Sequence, residues 1–329
     1  MTGIGRRILL ARLGAAIAAT ACPRVAGAAP ARLGLLLAGS KGAYFTDATT
    51  AIVGQGLHDA GLRDGRDYQL DVHYAGGDYQ RLGPLAQGLA ASGAALILAN
   101  TIAGVRAAQA ALPTRPVVML GINNPVESGL IATLARPGGQ TTGIATQIED
   151  MTPKMLDFQR QIVPRARRIG VVLNPANPSN QGMLAGLQAG ATGHGIAVVP
   201  AAVRLPGDLD AALATLAAAD LDALHLLADA ASLDLCDRIA PFALSRRLPF
   251  FAPYPPAAEI GGLLGFGPVP GKLLGRAGYF VRRILDGATP ADLPVEQPTV
   301  VELWINLATA RALGVEIPLT LQTADRIFD

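Results

Sequence analysis

Residues 32–37 read Arg-Leu-Gly-Leu-Leu-Leu, and residues 168–173 read Arg-Ile-Gly-Val-Val-Leu, the same pattern at an offset of 168 − 32 = 136. Each is a short, unbroken apolar run, as expected of a strand buried on both faces of a parallel sheet. Downstream of the first copy, a polar loop at 39–42 precedes a helical pattern around Ile52, Val53 and Leu57 that ends near Gly61. Strand-like runs at 68–74, 95–99 and 116–120 then alternate with helical stretches at 81–91 and 103–111. The second half keeps the order. Gly195-Ile196 answers Gly61-Leu62, residues 223–227 answer 95–99, and Leu248-Pro249-Phe250-Phe251 answers Arg115-Pro116-Val117-Val118. Strands separated by helices of this size are parallel βαβ units. Ordered matches at a near-constant offset mean a repeated unit. The fold class is therefore α/β, with two doubly wound parallel-sheet lobes.

The chain turns Gly- and Thr-rich around 142–153, and breaks again at Gly261-Gly262 through Gly267-Pro268 and from Pro290 to Pro298. Read as three crossings between lobes, these form a three-segment hinge. They divide the chain into an N-terminal lobe of residues 29–146 plus about 268–292 and a C-terminal lobe of 147–267 plus about 293–329. Short crossing strands suit closure by bending about a few residues.

The first 28 residues read as a signal peptide: Arg6, Arg7 and Arg12 in or beside a basic start, an apolar run at 8–21, then Ala26-Gly27-Ala28 as a small-x-small cleavage site. This predicts periplasmic export. Arg6-Arg7 leaves a twin-arginine route open, and Cys22 a lipid anchor, although Ala19-Thr20-Ala21 makes a poor lipobox. Removing the leader takes four arginines and no acids, which moves the formal charge from +2 to −2. No basic block suited to nucleic acid is present, so a small-molecule solute is the expected partner. Cys236 then stands alone and is expected to be a small apolar helix residue.

In open parallel sheets the loops after the carboxyl ends of the strands form the ligand crevice. Here those loops carry hydroxyls, amides and aromatics: Ser40, Tyr44, Phe45, Asn100, Thr101, Asn123, Asn174, Asn177, Ser179, Asp229 and Tyr254 are the candidate ligand-binding residues. Several precede helices, whose free N–H groups favour a carboxylate. Each has an ordinary alternative as an N-cap or turn former. Asp229 in particular could take a ligand amino group or cap the next helix.

Leu173-Asn174-Pro175-Ala176-Asn177-Pro178-Ser179, Leu134-Ala135-Arg136-Pro137-Gly138-Gly139 with Thr142-Gly143, and residues 284–298 resemble the substrate-binding proteins of ABC transporters, the tryptophan-binding type among them. Tyr74-Ala75-Gly76-Gly77-Asp78 and Ile305-Asn306-Leu307-Ala308-Thr309-Ala310 fit the same family. The resemblance implies a type I periplasmic-binding fold with no catalysis and no cofactor, a monomer that delivers its solute to ABC transporter permease subunits. It would set the ligand among Ser40, Tyr44, Asn100, Thr101, Asn123, Asn174, Ser179 and Asp229. The loops at 229–231 and 253–256 choose the ligand, so its identity does not carry over.

Motifs for other chemistries fail. Gly271-Lys272 is followed by Leu273, and Gly54-Gln55-Gly56 lies inside a helical pattern, so neither cradles a phosphate. There is no Gly-x-Ser-x-Gly elbow, and His58, His73, His194 and His225 have no metal-ligand spacing. Asp234, Asp237 and Arg238 are expected on a solvated helix face. An exported hydrolase with carboxylates converging from distant loops, or a two-lobed sensor, are the alternatives.

Overall fold

The computed structural model describes residues 29–329, so the expected leader and Cys22 lie outside the described residues. The first half runs β1 (Ala31–Leu37), α1 (Tyr44–Asp59), β2 (Tyr68–Tyr74), α2 (Leu82–Ala91), β3 (Leu96–Ala99), α3 (Ile102–Ala111), β4 (Val117–Asn123) and β5 (Thr141–Thr146). The five strands form one parallel sheet in the order β2-β1-β3-β4-β5.

The second half runs α4 (Thr152–Ile162), β6 (Arg168–Leu173), α5 (Pro178–Thr192), β7 (Ala197–Ala202), α6 (Leu209–Ala218), β8 (Ala223–Leu226), α7 (Cys236–Ser245), β9 (Phe250–Ala252) and β10 (Leu264–Pro268). Its strands repeat the first order as β7-β6-β8-β9-β10. After α8 (Pro270–Leu274) and α9 (Ala277–Leu285), β11 (Val301–Asn306) joins antiparallel to β10. Then α10 (Leu307–Leu313) and β12 (Arg326–Phe328), parallel to β11, complete the sheet.

The two opening strands behave alike because side chains alternate across a sheet. Leu33, Leu35 and Leu37 pack towards α1 and α9, and Leu36 towards α2 and α3. In the second sheet Ile169, Val171 and Leu173 pack with α4 and α5, and Val172 with α6 and α7. The shared glycine has one cause in both copies. A Cβ on Gly34 would lie 3.0 Å from Leu89 of α2, and one on Gly170 2.8 Å from Leu216 of α6. A helix leucine rests on the bare backbone.

Chain crossings set the lobes face to face. The chain leaves the first sheet after Thr146, and α8 and α9 return to pack on α1 and β4. It stays there through Glu296, whose carbonyl accepts from Ala145 N at 2.8 Å, and then enters the second sheet at β11. Two stretches read as crossings are partly regular structure: 142–146 belongs to β5 and 264–268 is β10. Both are buried strands whose glycines mimic a loop in sequence. Gly143 has φ 128° and runs so close to Met119 that a Cβ would lie 2.5 Å from its backbone N.

Candidate ligand-binding cleft

The carboxyl ends of both sheets point into one cleft. In each sheet the chain switches direction between the first strand and its two neighbours, β2 and β3 or β7 and β8. The loops there diverge and leave a crevice. Asn100, Thr101, Asn123, Asn177, Ser179, Asp229 and Tyr254 come together around a small polar cavity of about 50 Å³. It opens beside a larger, mostly apolar cavity of about 220 Å³ that shares Asn100, Gly121, Ala230 and Tyr254 with it.

Asn123 reaches the cleft through a bulge. Val118 and Leu120 pack with one core cluster and Val117 and Met119 with the other, yet Ile122 packs with Val117 and Met119. The phase flips at Gly121, whose φ of 69° accompanies a register break between Leu120 and Ile122. Asn123 is thereby turned towards the cleft. Its Nδ2 and Oδ1 are both buried with no hydrogen-bond partner in the protein, as is Oγ1 of Thr146, its register partner on β5. Native interiors rarely leave such groups unpaired, because each costs about 1–3 kcal/mol. Here a donor, an acceptor and a hydroxyl stand together beside the same cavity.

Asp229 is the hub of the second lobe's loops. Its Oδ1 accepts from Asn174 Nδ2 at 3.3 Å, Ala231 N at 3.1 Å, Ser232 N at 2.9 Å and Ser232 Oγ at 3.0 Å. Its Oδ2 accepts from Asn177 Nδ2 at 3.1 Å and, across the cleft, from Tyr79 Oη at 2.5 Å. Its bonds to Ala231 N and Ser232 N close the turn that leads into the next helix. Asn177 and Thr101 cap α5 and α3 through Ser179 N and Gly104 N, which aims two helix N-termini at the cleft.

Not every expected residue lines a cavity. Asn174 is 1% exposed and spends its side chain on Asp229 and on Ala176 N, so it positions the hub from behind. Ser40 lies outside both cavities and meets the second lobe through its backbone N. Tyr44 and Phe45 line the apolar cavity with Ile52, Leu120 and Tyr254. Tyr79 and Thr146 were absent from the expected set. The nearest signal for Tyr79 is the preceding Gly76-Gly77-Asp78; Thr146 lay in a stretch read as a crossing.

Electrostatically the cleft is close to neutral. Among the residues lining the two cavities, Asp229 is the one carboxylate, and no Lys or Arg is among them. Burial, and then the Asp229 charge, pushes the Tyr254 phenol up to about 12 and holds Tyr79 well above its ordinary value. Both hydroxyls therefore stay protonated.

The chain belongs to the family of ABC transporter substrate-binding proteins, whose sequence pattern matches residues 46–326. It is accordingly a solute-binding protein and not an enzyme. A tyrosine-binding protein from Clostridioides difficile strain R20291 is 25% identical over 260 residues, covering 79% of this chain and 74% of that one. The crystal structure of an ABC domain in complex with L-Trp from Streptococcus pneumonia superposes with a TM-score of 0.81 at 22% identity, covering 91% of this chain and 100% of the other. The ligand-free, open structure of a substrate-binding protein with adhesive properties from Clostridium difficile gives 0.60 at 22% identity, covering 91% and 99%. The fold is thus the type I periplasmic-binding one. Among the described residues no helix is long and apolar enough to cross a membrane.

Proposed function

We propose that this protein captures an aromatic amino acid or a closely similar aromatic solute in the cleft and delivers it to the permease of an ABC importer. One observation carries the reading: the unpartnered polar atoms of Asn123 and Thr146 line a small polar cavity that shares Asn100, Gly121, Ala230 and Tyr254 with an apolar cavity of about 220 Å³. An apolar cavity of roughly 150 Å³ accepts benzene, so this volume suits a phenol or indole ring. The polar end offers neutral groups of both hydrogen-bonding senses and two helix N-termini, a combination that suits a zwitterion better than a polyanion. The ligands of the tyrosine-binding relative and of the L-Trp complex support the same class. Export through the leader at residues 1–28, a monomeric state, and closure about the crossings after Thr146, Pro268 and Glu296 complete the proposal.

The test is a thermal-shift screen on protein that has been unfolded and refolded to strip bound solute. The panel holds aromatic and aliphatic amino acids, aromatic carboxylic acids and small amides. A ligand at about 100 times its Kd adds about 2.7 kcal/mol, a rise of a few degrees for a chain of this size. A rise confined to aromatic amino acids is expected. A rise confined to aliphatic compounds, or none at all, would sink the assignment.

A further inference from the structure

We infer that the chain carries its own closing clasp, centred on Asp234, which lines neither cavity, and reaching it through Thr46 and Phe45 at the edge of the apolar one, and that this clasp sets the affinity and lifetime of the complex. The inference rests on the binding reading above.

Helix α1 begins without a side-chain cap, since Ala43 holds the N-cap position. Its open N–H groups need an acceptor. The acceptor comes from the opposite lobe: Thr46 N donates to Asp234 Oδ1 at 3.0 Å, and Ser40 N and Thr46 Oγ1 donate to Oδ2 at 3.0 and 2.6 Å. A carboxylate at that end also opposes the helix dipole favourably. Asp234 had been expected on a solvated face; only its neighbours Asp237 and Arg238 are exposed, and Arg238 pairs with Asp210.

The same turn of α1 sends Phe45 across the gap. It is 8% exposed and packs with Val203, Leu233, Leu235 and Ala257, all of the second lobe's core. Gly39 makes room for the clasp, because a Cβ there would lie 2.2 Å from Asp234 Oδ2 and 1.9 Å from Thr46 Oγ1. Asp234 lines neither cavity, so a ligand in the cleft does not touch it. Burial pushes its carboxyl pKa up against the pull of its donors, which are what make closing over it tolerable. Every one of these contacts joins one lobe to the other and is lost on opening. They therefore act on the closed state alone, which links them to ligand retention.

The experiment compares wild type with Asp234→Ala and with Gly39→Ala, which keeps every donor and acceptor but wedges the clasp. Binding of L-tryptophan and L-tyrosine is followed by stopped flow, and the radius of gyration without ligand by small-angle scattering. Loss of bonds to a charged acceptor should raise koff and Kd by about 30-fold, with kon changed less than about threefold. Both variants should also have a larger ligand-free radius than wild type. Unchanged koff and unchanged radius in folded variants overturn the clasp while leaving the binding reading intact. If neither amino acid binds wild type, the binding reading fails, and the radius alone decides the clasp: larger in the variants supports it, equal overturns it. Should Asp234→Ala not fold, Gly39→Ala serves alone.

Discussion

Tyr79 and Asp229 stand 150 residues apart in sequence and meet across the cleft in a hydrogen bond of 2.5 Å, phenol to carboxylate. The hydroxyl belongs to the first lobe and the acceptor to the loop after β8, so the bond exists only when the lobes are together. Asp229 is held in place by its own loop and by Asn174 and Asn177, which fixes the target before Tyr79 arrives.

Tyr79→Phe removes that bond and little else. A net contribution of about 1.5 kcal/mol for a bond to a charged group predicts a Kd about tenfold weaker by isothermal calorimetry. The ligand-free melting temperature should move by less than about two degrees. An unchanged Kd would mean that Tyr79 and Asp229 do not meet in the bound form.

Asn123→Leu should separate binding from stability. It replaces an amide whose two polar atoms have no protein partner. Relieving that desolvation is expected to stabilise the ligand-free protein by about 1 kcal/mol while weakening binding at least about 30-fold. Urea denaturation and calorimetry on the same preparation give the two numbers; a variant that is less stable and binds normally would contradict the role assigned to Asn123.

His225 makes stability fall with acidity. It is 3% exposed, faces Gln159 Oε1 through Nε2 at 3.2 Å and stacks on Phe251, and burial lowers its pKa from 6.5 to about 4. The unfolded chain therefore takes up this proton near pH 6.5 and the native protein only near pH 4. Stability contributed by the neutral ring is present above about 6.5, declines as the pH drops towards 4, and is gone below it. At about 1.4 kcal/mol per pKa unit the loss is on the order of 3 kcal/mol. His225→Gln should flatten that part of the urea-midpoint profile; the same slope in the variant would assign it elsewhere.

Gly54 and Gly56 should respond in opposite directions to alanine. A Cβ on Gly54 meets nothing within 4 Å, so Gly54→Ala should gain about 0.5–1 kcal/mol from helix propensity. A Cβ on Gly56 would lie 2.2 Å from the carbonyl oxygen of Gly275, where the segment between α8 and α9 crosses α1. Gly56→Ala should cost about 3 kcal/mol and, by loosening the helix that carries Tyr44, Phe45 and Thr46, weaken binding as well. Chemical denaturation resolves both signs.

Much of the architecture was readable in advance because it rests on consecutive residues. The runs at 32–37 and 168–173 are apolar on both faces and could only be central strands, and α2, α3 and β2 fall within a residue of their expected ends. The loops after β1, β3, β6 and β8 were expected to carry the cleft because parallel topology alone puts them at one end; residues of the last three line the polar cavity, while the loop after β1 lines neither cavity. Gly54-Gln55-Gly56 was readable as helix but not as a crossing point; its purpose is visible only beside Gly275.

What the sequence by itself determined is the pair of matched βα halves and the set of loops that face each other, because strand length, alternation and turn chemistry are local properties. Tertiary structure decided which members of those loops do which work. Asn123 faces the cleft because a one-residue bulge at Gly121 reverses the side-chain phase, while Asn174 turns behind Asp229 to hold it. Tyr79 and Asp234 acquire roles only from partners 150 to 194 positions away. A hydrogen bond across a cleft depends on where two separately folded surfaces come to rest, and no periodicity along either segment encodes that distance.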